Sequence, residues 1–347
     1  MLHLPPPREC LERLVPAAMR VRAATPWRRI NDDTFFGVRE PLHGTLGLVG
    51  VSGQVGGSKG ITVYPGVSGY TTLVRATHGL LPEDRFEALL EMHSLSCSFV
   101  PWSQLAAEER RFLKDAGMSI GSDSDVPRFV CFRPGYLPGP PDAGEAEFLA
   151  TVLEQTLYVL HELSLDRHLL AEHPPGSYRT RVCAIKDGGK SWGWEWARFD
   201  VLRPPMPAPW EPDEFTATRL RRLPMAPEQV WEVAAVPGAG VLRETSRTRP
   251  ELLLALMIAV RGSGRVLSAE ALPAPSFGAE AGRCFAQRLL KLGMCPHHIL
   301  VHHYGLRDLL APVVKPLGSK LLRVQYLPAL EAASEDMLDH LARDTKH

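Results

Sequence analysis

The runs VWEVAAV (230–236), LLLALMIAV (252–260) and VLSAEAL (266–272) decide the fold of the last third of the chain. They are rich in apolar and β-branched residues, and GSG (262–264) is a turn signal, so they predict three successive strands. Two further strands then alternate with three helices, which gives the order β-β-β-α-β-α-β-α. Strand–helix alternation after an initial hairpin predicts a three-layer α/β domain with a mixed sheet.

The preceding region mixes short strands and helices and predicts an N-terminal α+β domain. Residues 33–79 read as strands separated by Gly-containing turns, and GYTTLVRAT (69–77) is one of these predicted strands. A later helix is predicted to begin at Asp142, because Asp142 and Glu145 have the spacing of a capping box. Helices are predicted at 81–93, 103–117 and 142–163.

The length of 347 residues agrees with two domains, since a domain has roughly 150 residues. The first predicted domain spans 1–212 and includes a Trp-rich hairpin at 179–202. A proline-rich linker at 204–212 ends this domain, because its prolines favour a stiff, extended spacer. The second predicted domain spans 213–347.

The composition argues against several function classes. The 39 basic and 39 acidic residues cancel, which disfavours nucleic acid as a partner without excluding it. We see no signal peptide and no apolar stretch of about 18 residues, so we expect a cytoplasmic protein with no membrane partner. The six cysteines form no CxxC pair, which predicts free thiols in a reducing compartment. Arginine outnumbers lysine 31 to 8, a skew typical of GC-rich bacterial coding.

Five stretches of the chain resemble an uncharacterised family of bacterial two-domain proteins. They are PWRRINDDTFFGV (26–38), GITVYPG (60–66), PRFVCFRPGYLP (127–138), MCPHHILVH (294–302) and LGSKLLRVQYLPAL (317–330). The resemblance covers most of the chain. It implies a two-domain layout and no particular activity.

The second domain is similar in element order to ribonuclease H-like domains. Active members of that superfamily hold two metal ions with carboxylates, the first of which is an Asp at the end of the first strand. In IAVRGSGRVL (258–267), Arg261 stands at the Asp-like position, and the strand 298–303 ends in histidines. Guanidinium and imidazole groups are poorly suited to Mg²⁺, so the resemblance implies a domain without nuclease chemistry.

Three stretches approach catalytic motifs without meeting them. AIKDGGKS (184–191) fits a loose phosphate-loop pattern, but it lies between two strand-like runs, which favours a hairpin turn. GVSGQ around Ser52 and GVSGY around Ser68 resemble a nucleophile elbow but lack its final Gly. Both are predicted to lie between strands rather than between a strand and a helix. Turn serines are therefore the favoured interpretation.

Three tryptophans form a candidate binding strip. Trp192, Trp194 and Trp196 alternate along one predicted strand, so they share a face. Such a strip can stack a base, a sugar or a proline-rich peptide, or it can pack into a core.

The stretch CPHHILVHH (295–303) is the densest polar cluster in the sequence. Its candidate metal ligands are Cys295, His298 and His303. Zinc needs three or four converging ligands, and no second spaced pair is present. A strand flanked by solvated or packed histidines is the alternative.

The sequence assigns no definite function. Because each catalytic pattern fails on context or on a missing residue, the favoured hypothesis is a non-catalytic binding or interaction protein of the bacterial cytoplasm. Its surface would be the Trp-rich hairpin or a cleft between the domains, its partner a protein or small molecule, and no cofactor is predicted. The alternative is a diverged ribonuclease H-like enzyme acting on nucleic acid with a divalent metal. That enzyme would need Glu232, Glu270 or Glu280 to converge with Asp308.

Overall fold

A computed structural model describes most of the chain and divides it into two compact units. The described residues are 8–118, 125–170, 174, 176–186, 189–199, 208–242 and 249–334. Unit 1 comprises Met1–Pro204 and Thr245–Arg249, and unit 2 comprises Pro205–Glu244 and Pro250–His347. Both units combine helices with a β-sheet, which confirms the predicted α+β class.

Three parts of the sequence predictions lie outside the described residues. They are two pieces of the hairpin, namely its tip with the phosphate-loop candidate (187–188) and its end (200–202), then residues 204–207 of the linker, and the end of the last helix (335–344). Among the described residues, no helix combines the length and apolar character needed to cross a bilayer.

Unit 1 contains a seven-stranded sheet flanked by helices. The strand order is β5-β4-β3-β2-β1-β6-β7, with β1 and β6 parallel and the other neighbours antiparallel. The long helices α1 and α5 pack on one face of the sheet, and α2 packs on the other. The helices are α1 (Arg8–Ala24), α2 (Gly66–Thr77), α3 (Arg85–Glu91), α4 (Ala107–Asp115) and α5 (Ala143–Leu165). The strands are β1 (Phe35–Arg39), β2 (Leu46–Ser52), β3 (Gly60–Pro65), β4 (Ser94–Pro101), β5 (Asp125–Phe132), β6 (Ser177–Lys186) and β7 (Gly189–Arg198).

Helix α5 begins where the sequence predicts. The side chain of Asp142 accepts from the backbone N–H of Glu145 at 2.9 Å, and the side chain of Glu145 accepts from the N–H of Asp142 at 2.8 Å. The predicted capping box is therefore confirmed. It fixes the position of the Glu145 carboxylate at the start of the helix.

The strand predicted at 69–77 is wrong, because this segment belongs to α2. Its β-branched residues suggested a strand, yet the hydroxyls of Thr71, Thr72 and Thr77 each donate to the carbonyl four residues earlier. The apolar side chains of the helix pack against the sheet. This packing outweighs the local β preference.

Unit 2 contains a five-stranded mixed sheet in the order β10-β9-β8-β11-β12. Strands β8, β11 and β12 are parallel, and β9 is antiparallel to both of its neighbours. The elements are α6 (Glu214–Arg221), β8 (Met225–Leu242), β9 (Glu251–Val260), β10 (Val266–Pro273), α7 (Phe277–Leu292), β11 (Cys295–Val301), α8 (Tyr304–Val314) and β12 (Lys320–Arg323). Residues 328–334 are helical as well.

From β8 onward, the elements confirm the predicted order of strands and helices. One detail of the sequence analysis is wrong. Arg261 directly follows β9, which is the second strand of the sheet in chain order, so it does not stand at the end of the first strand. The first strand, β8, carries Glu232 instead.

Candidate functional site

The hairpin of β6 and β7 aligns its tryptophans with two arginines. In the antiparallel register, Trp194 lies opposite Arg181 and Trp196 lies opposite Arg179. Since alternate residues of a strand point to the same side, these four side chains and Trp192 share one surface, which we call the Trp–Arg face. Each of the two arginines stacks on the ring opposite to it.

The inner pair of the Trp–Arg face belongs to the packed interior. Arg181 is only 4% exposed, and its guanidinium carbon lies 5.0 Å from the ring centroid of Trp194. Its Nε donates to Gln155 Oε1 at 3.0 Å, and its Nη1 lies 3.6 Å from Glu162 Oε1. The indole N–H of Trp194 donates to the other carboxylate oxygen of Glu162. One carboxylate of α5 therefore contacts both the guanidinium and the indole N–H.

Burial lowers the pKa of Arg181, and the carboxylate of Glu162 opposes that effect. The carboxylate of Glu162 thus balances the charge of a guanidinium that is almost removed from water. Trp192 and Trp194 pack against the core between the sheet and its long helices. The contacts of Arg181 and Trp194 therefore attach the hairpin to α5 and to the core.

The outer pair has the same stacking without a carboxylate. The guanidinium carbon of Arg179 lies 4.7 Å from the ring centroid of Trp196, and Trp196 is 42% exposed. Among the described residues, the buried Nε of Arg179 has no hydrogen-bond acceptor. A buried donor without an acceptor costs about 1–3 kcal/mol, so Arg179 carries an unfilled hydrogen-bond donor beside the exposed ring of Trp196.

Strand β7 lies at the end of the sheet. Within the described part of the chain it pairs only with β6. The outer edge of a terminal strand presents backbone N–H and C=O groups, and such an edge can template a further strand. The exposed Trp196 lies on this strand.

An open groove of about 430 Å³ adjoins the Trp–Arg face. It shares Tyr158 with that face, because the ring centroid of Tyr158 lies 5.8 Å from the guanidinium carbon of Arg181. Tyr158 is 55% exposed. The groove is lined by Arg20, Glu154, Leu157, Tyr158 and His161.

The sequence analysis identified the tryptophans but missed the arginines. The alternation of YRTRVC (178–183) could have found them. The register of the hairpin pairs residue 186 with residue 189, and that register places Arg181 opposite Trp194. The acidic partner Glu162 lies on a separate helix, and no sequence signal links it to the hairpin.

Two candidate metal ligands, Cys295 and His298, lie in β11, and the third, His303, lies beyond its end. Cys295 is buried at the start of the strand, where its thiol lies 3.6 Å from the carbonyl oxygen of Pro224. Burial raises the pKa of Cys295, which disfavours the thiolate that binds metals. His298 lies in the strand, and His303 caps α8. Within the described ranges, no group of three or more His, Cys, Asp or Glu side chains is placed to hold a metal ion.

The acids that a nuclease would need have other partners. Glu232 is fully buried, and its Oε2 accepts from the N–H groups of Ala329 and Leu330 at 2.9 and 3.2 Å. Burial raises the pKa of this carboxyl, although the two N–H groups and Arg261, 3.6 Å away, oppose the effect. The other three acids, Glu270, Glu280 and Asp308, pair with Arg288, Arg283 and Arg307.

Two family models match the chain. Residues 12–181 match a domain of unknown function (DUF7309), and residues 216–338 match another domain of unknown function (DUF6930). The comparison with curated proteins and the comparison with solved structures each find no match. The chain thus carries two domains of unknown function, in agreement with the two-domain family that it resembles.

Proposed function

We propose that unit 1, which contains the first of these two domains of unknown function, is a peptide-binding module. An extended segment of a partner protein adds to the outer edge of β7, and an acidic side chain of that segment pairs with Arg179. The observation that carries the proposal is the buried Nε of Arg179, which has no acceptor among the described residues.

The inner pair supports the acidic character of the partner. Glu162 accepts from Trp194 and lies 3.6 Å from Arg181. The outer pair repeats this arrangement of indole and guanidinium but lacks the carboxylate. A glutamate or aspartate of the bound segment would occupy the equivalent position.

The edge position of β7 supports an extended ligand. Addition of a strand to a sheet edge gains backbone hydrogen bonds, and side-chain contacts then select the sequence. The exposed ring of Trp196 offers an apolar contact for a residue near the acidic one. Both features lie within unit 1.

The ribonuclease H-like alternative receives less support. The order of the second sheet favours it, but the acids that it needs are paired with arginines or with backbone N–H groups. We therefore do not propose nuclease activity.

We also propose a location in the bacterial cytoplasm. The six cysteines are free thiols, five of them buried, which suits a reducing compartment. The bacterial origin rests on the excess of arginine over lysine.

The test is selection of random peptides on the immobilised full chain, followed by titration of enriched peptides in solution. We expect the enriched peptides to contain Asp or Glu, and we expect Trp196→Ala and Arg179→Met to weaken binding by about tenfold or more. The matched control is Phe215→Ala, which removes an exposed aromatic ring that stacks with Arg219 on unit 2.

Methylation of the peptide backbone nitrogens is a second arm, since it removes the donors of strand pairing. It should abolish binding. Equal affinities for wild type and Trp196→Ala would show that the Trp–Arg face is not the recognition surface.

A further inference from the structure

A second polar site of unit 1 lies at the junction between β3 and α2. The sequence analysis interpreted Ser68 as a turn serine between two strands, and this is wrong because Ser68 lies in the first turn of α2, directly after β3. Gly66 has a φ of +60°, which turns the chain from the strand into the helix. A Cβ at Gly69 would lie 2.4 Å from the carbonyl carbon of Tyr64, so only glycine allows this close packing.

The hydroxyl of Ser68 contacts an imidazole. Ser68 Oγ lies 2.5 Å from Nδ1 of His93. The backbone N–H of His93 donates to Thr72 Oγ1 at 3.0 Å, and that hydroxyl lies 3.1 Å from the carbonyl oxygen of Glu91. Thr72 of α2 is a positioning residue, because it holds the segment that carries His93 against the helix that carries Ser68.

His93 is a neutral base at physiological pH. Burial, together with the charges of Arg133 and Arg249, lowers its pKa to about 4, and Glu145 opposes this shift. With the ring proton on Nε2, the unprotonated Nδ1 accepts the proton of the Ser68 hydroxyl. The hydroxyl is thereby oriented with its oxygen available for attack.

A small apolar cavity lies beside Ser68. Its volume is about 250 Å³. Leu81, Leu90 and Pro134 line it, and an ion pair of Arg75 and Glu91, 2.7 Å apart, completes part of the wall. The size and the apolar lining suit a short acyl chain.

The start of α2 supplies donors for a developing negative charge. Ser68 is the third residue of the helix. The first four N–H groups of a helix have no acceptor within the helix, and the helix dipole favours negative charge at this end. Because Ser68 lies in this first turn, a tetrahedral intermediate formed on its Oγ would lie at the N-terminal end of the helix.

We propose that Ser68 and His93 are a nucleophile and a general base that hydrolyse small esters with a short apolar acyl group. Ser68 Oγ forms a bond to the carbonyl carbon while its proton passes to His93 Nδ1. The bond from that carbon to the alcohol oxygen breaks, and the alcohol leaves with the proton from His93. Water then attacks the acyl-serine and gives one proton to His93, which returns it to Ser68 as the carboxylic acid departs.

The first test is hydrolysis of p-nitrophenyl butyrate by the full chain. Ser68→Ala and His93→Gln should each lower the rate by at least about 100-fold, in the range that general-base and nucleophile losses give. Ser52→Ala is the matched control. It changes the other serine of a GVSG sequence, whose hydroxyl donates to the carbonyl of Ser58 at 3.1 Å in a turn, and it should leave the rate unchanged.

The second test is covalent labelling with a small fluorophosphonate, followed by mass spectrometry. Ser68 Oγ displaces fluoride, so wild type and Ser52→Ala should carry one label on the peptide that contains Ser68. His93→Gln keeps the serine and should label far more slowly, and unfolding midpoints of all variants show that they are folded. Equal butyrate hydrolysis by wild type and Ser68→Ala, or a label absent from Ser68, overturns the proposal.

Discussion

Replacement of Glu145 by glutamine should destabilise unit 1 by about 3 kcal/mol at neutral pH. Glu145 is 9% exposed and faces two arginines of the same unit. Its Oε2 lies 2.8 Å from Arg249 Nη2, and its Oε1 lies 2.6 Å from Arg133 Nη2. Oε1 also accepts from the thiol of Cys131 at 3.0 Å. The glutamine variant keeps the shape of the side chain and removes the charge that neutralises both arginines.

The magnitude follows from the pKa. Burial alone raises the pKa of Glu145, but Arg249 and Arg133, together with the N–H of Asp142, outweigh burial and hold the pKa at about 2, against 4.5 in an exposed carboxyl. Each pKa unit corresponds to about 1.4 kcal/mol, so the ionised group contributes about 3 kcal/mol. The folded state has the lower pKa, so this contribution is complete above pH 4.5 and is lost as the pH falls towards 2.

The assay is urea unfolding followed by tryptophan fluorescence, at pH values from 2 to 7. Wild type should lose stability between pH 4.5 and 2, and Glu145→Gln should lack that dependence. The control is Glu12→Gln. It removes an exposed ion pair with Arg8 and should change stability by less than about 0.5 kcal/mol. A Glu145→Gln variant within about 1 kcal/mol of wild type at pH 7, or with an unchanged acid slope, would refute the reasoning.

Three further changes have defined outcomes. Gly37→Ala places a Cβ 2.1 Å from the hydroxyl of the buried Thr180, so it should lower the free energy of unfolding in urea by about 1–3 kcal/mol. The control Gly193→Ala adds a Cβ with no atom within 4 Å and should lower it by less than about 0.5 kcal/mol. Glu232→Gln should raise the unfolding midpoint at pH 7, because burial raises the pKa of this carboxyl and its charge costs stability there. Since the pKa of His93 is about 4 when folded and 6.5 when exposed, the unfolded chain binds more protons between these values. Wild-type stability should therefore rise by about 3 kcal/mol from pH 4 to 6.5, and His93→Gln should flatten that rise.

The second sheet could be predicted from the sequence because each of its strands is a distinct apolar run. LLLALMIAV (252–260) became the central part of β9, and the glycines after it became a turn. In such runs the apolar residues predict the strand, and the turn residues on either side predict where it ends. Strands β9 and β10 are joined by a short turn, whereas the neighbouring strands β8 and β11 are separated in the chain by β9, β10 and α7.

The segment 69–77 could not be assigned in this way, because its local preference and its tertiary environment disagree. Thr71 and Thr72 favour a strand locally, but α2 buries Tyr70 and Leu73 against the sheet. The wrong assignment then hid the Ser68 site. A serine between two strands has no elbow geometry, whereas the same serine at the start of a helix does.

The partners of both sites lie far apart in the sequence. Ser68 and His93 are separated by 25 positions, and Arg181 and Glu162 by elements that meet only after the sheet and α5 have packed. Strand alternation gives the shared face of the tryptophans, and a hairpin register gives the arginines. Neither rule gives a contact between a strand and a helix on its face, so the carboxylate that defines the inner pair needed a structure.

The contrast between the two Trp–Arg pairs is the basis for proposing that only the outer pair binds a ligand. Arg181 and Trp194 lie beneath α5, where Glu162 and Gln155 occupy their donors. Arg179 lies two residues earlier on the same strand and stacks in the same way, but its Nε has no hydrogen-bond acceptor among the described residues. A stacked guanidinium without an anion keeps the full cost of its unfilled donor. The inner pair shows how a carboxylate contacts a stacked arginine and tryptophan, and the outer pair has the same stacking with its Nε donor unfilled. The outer pair includes the exposed ring of Trp196 and lies on the edge strand β7, where an extended chain could pair with the sheet.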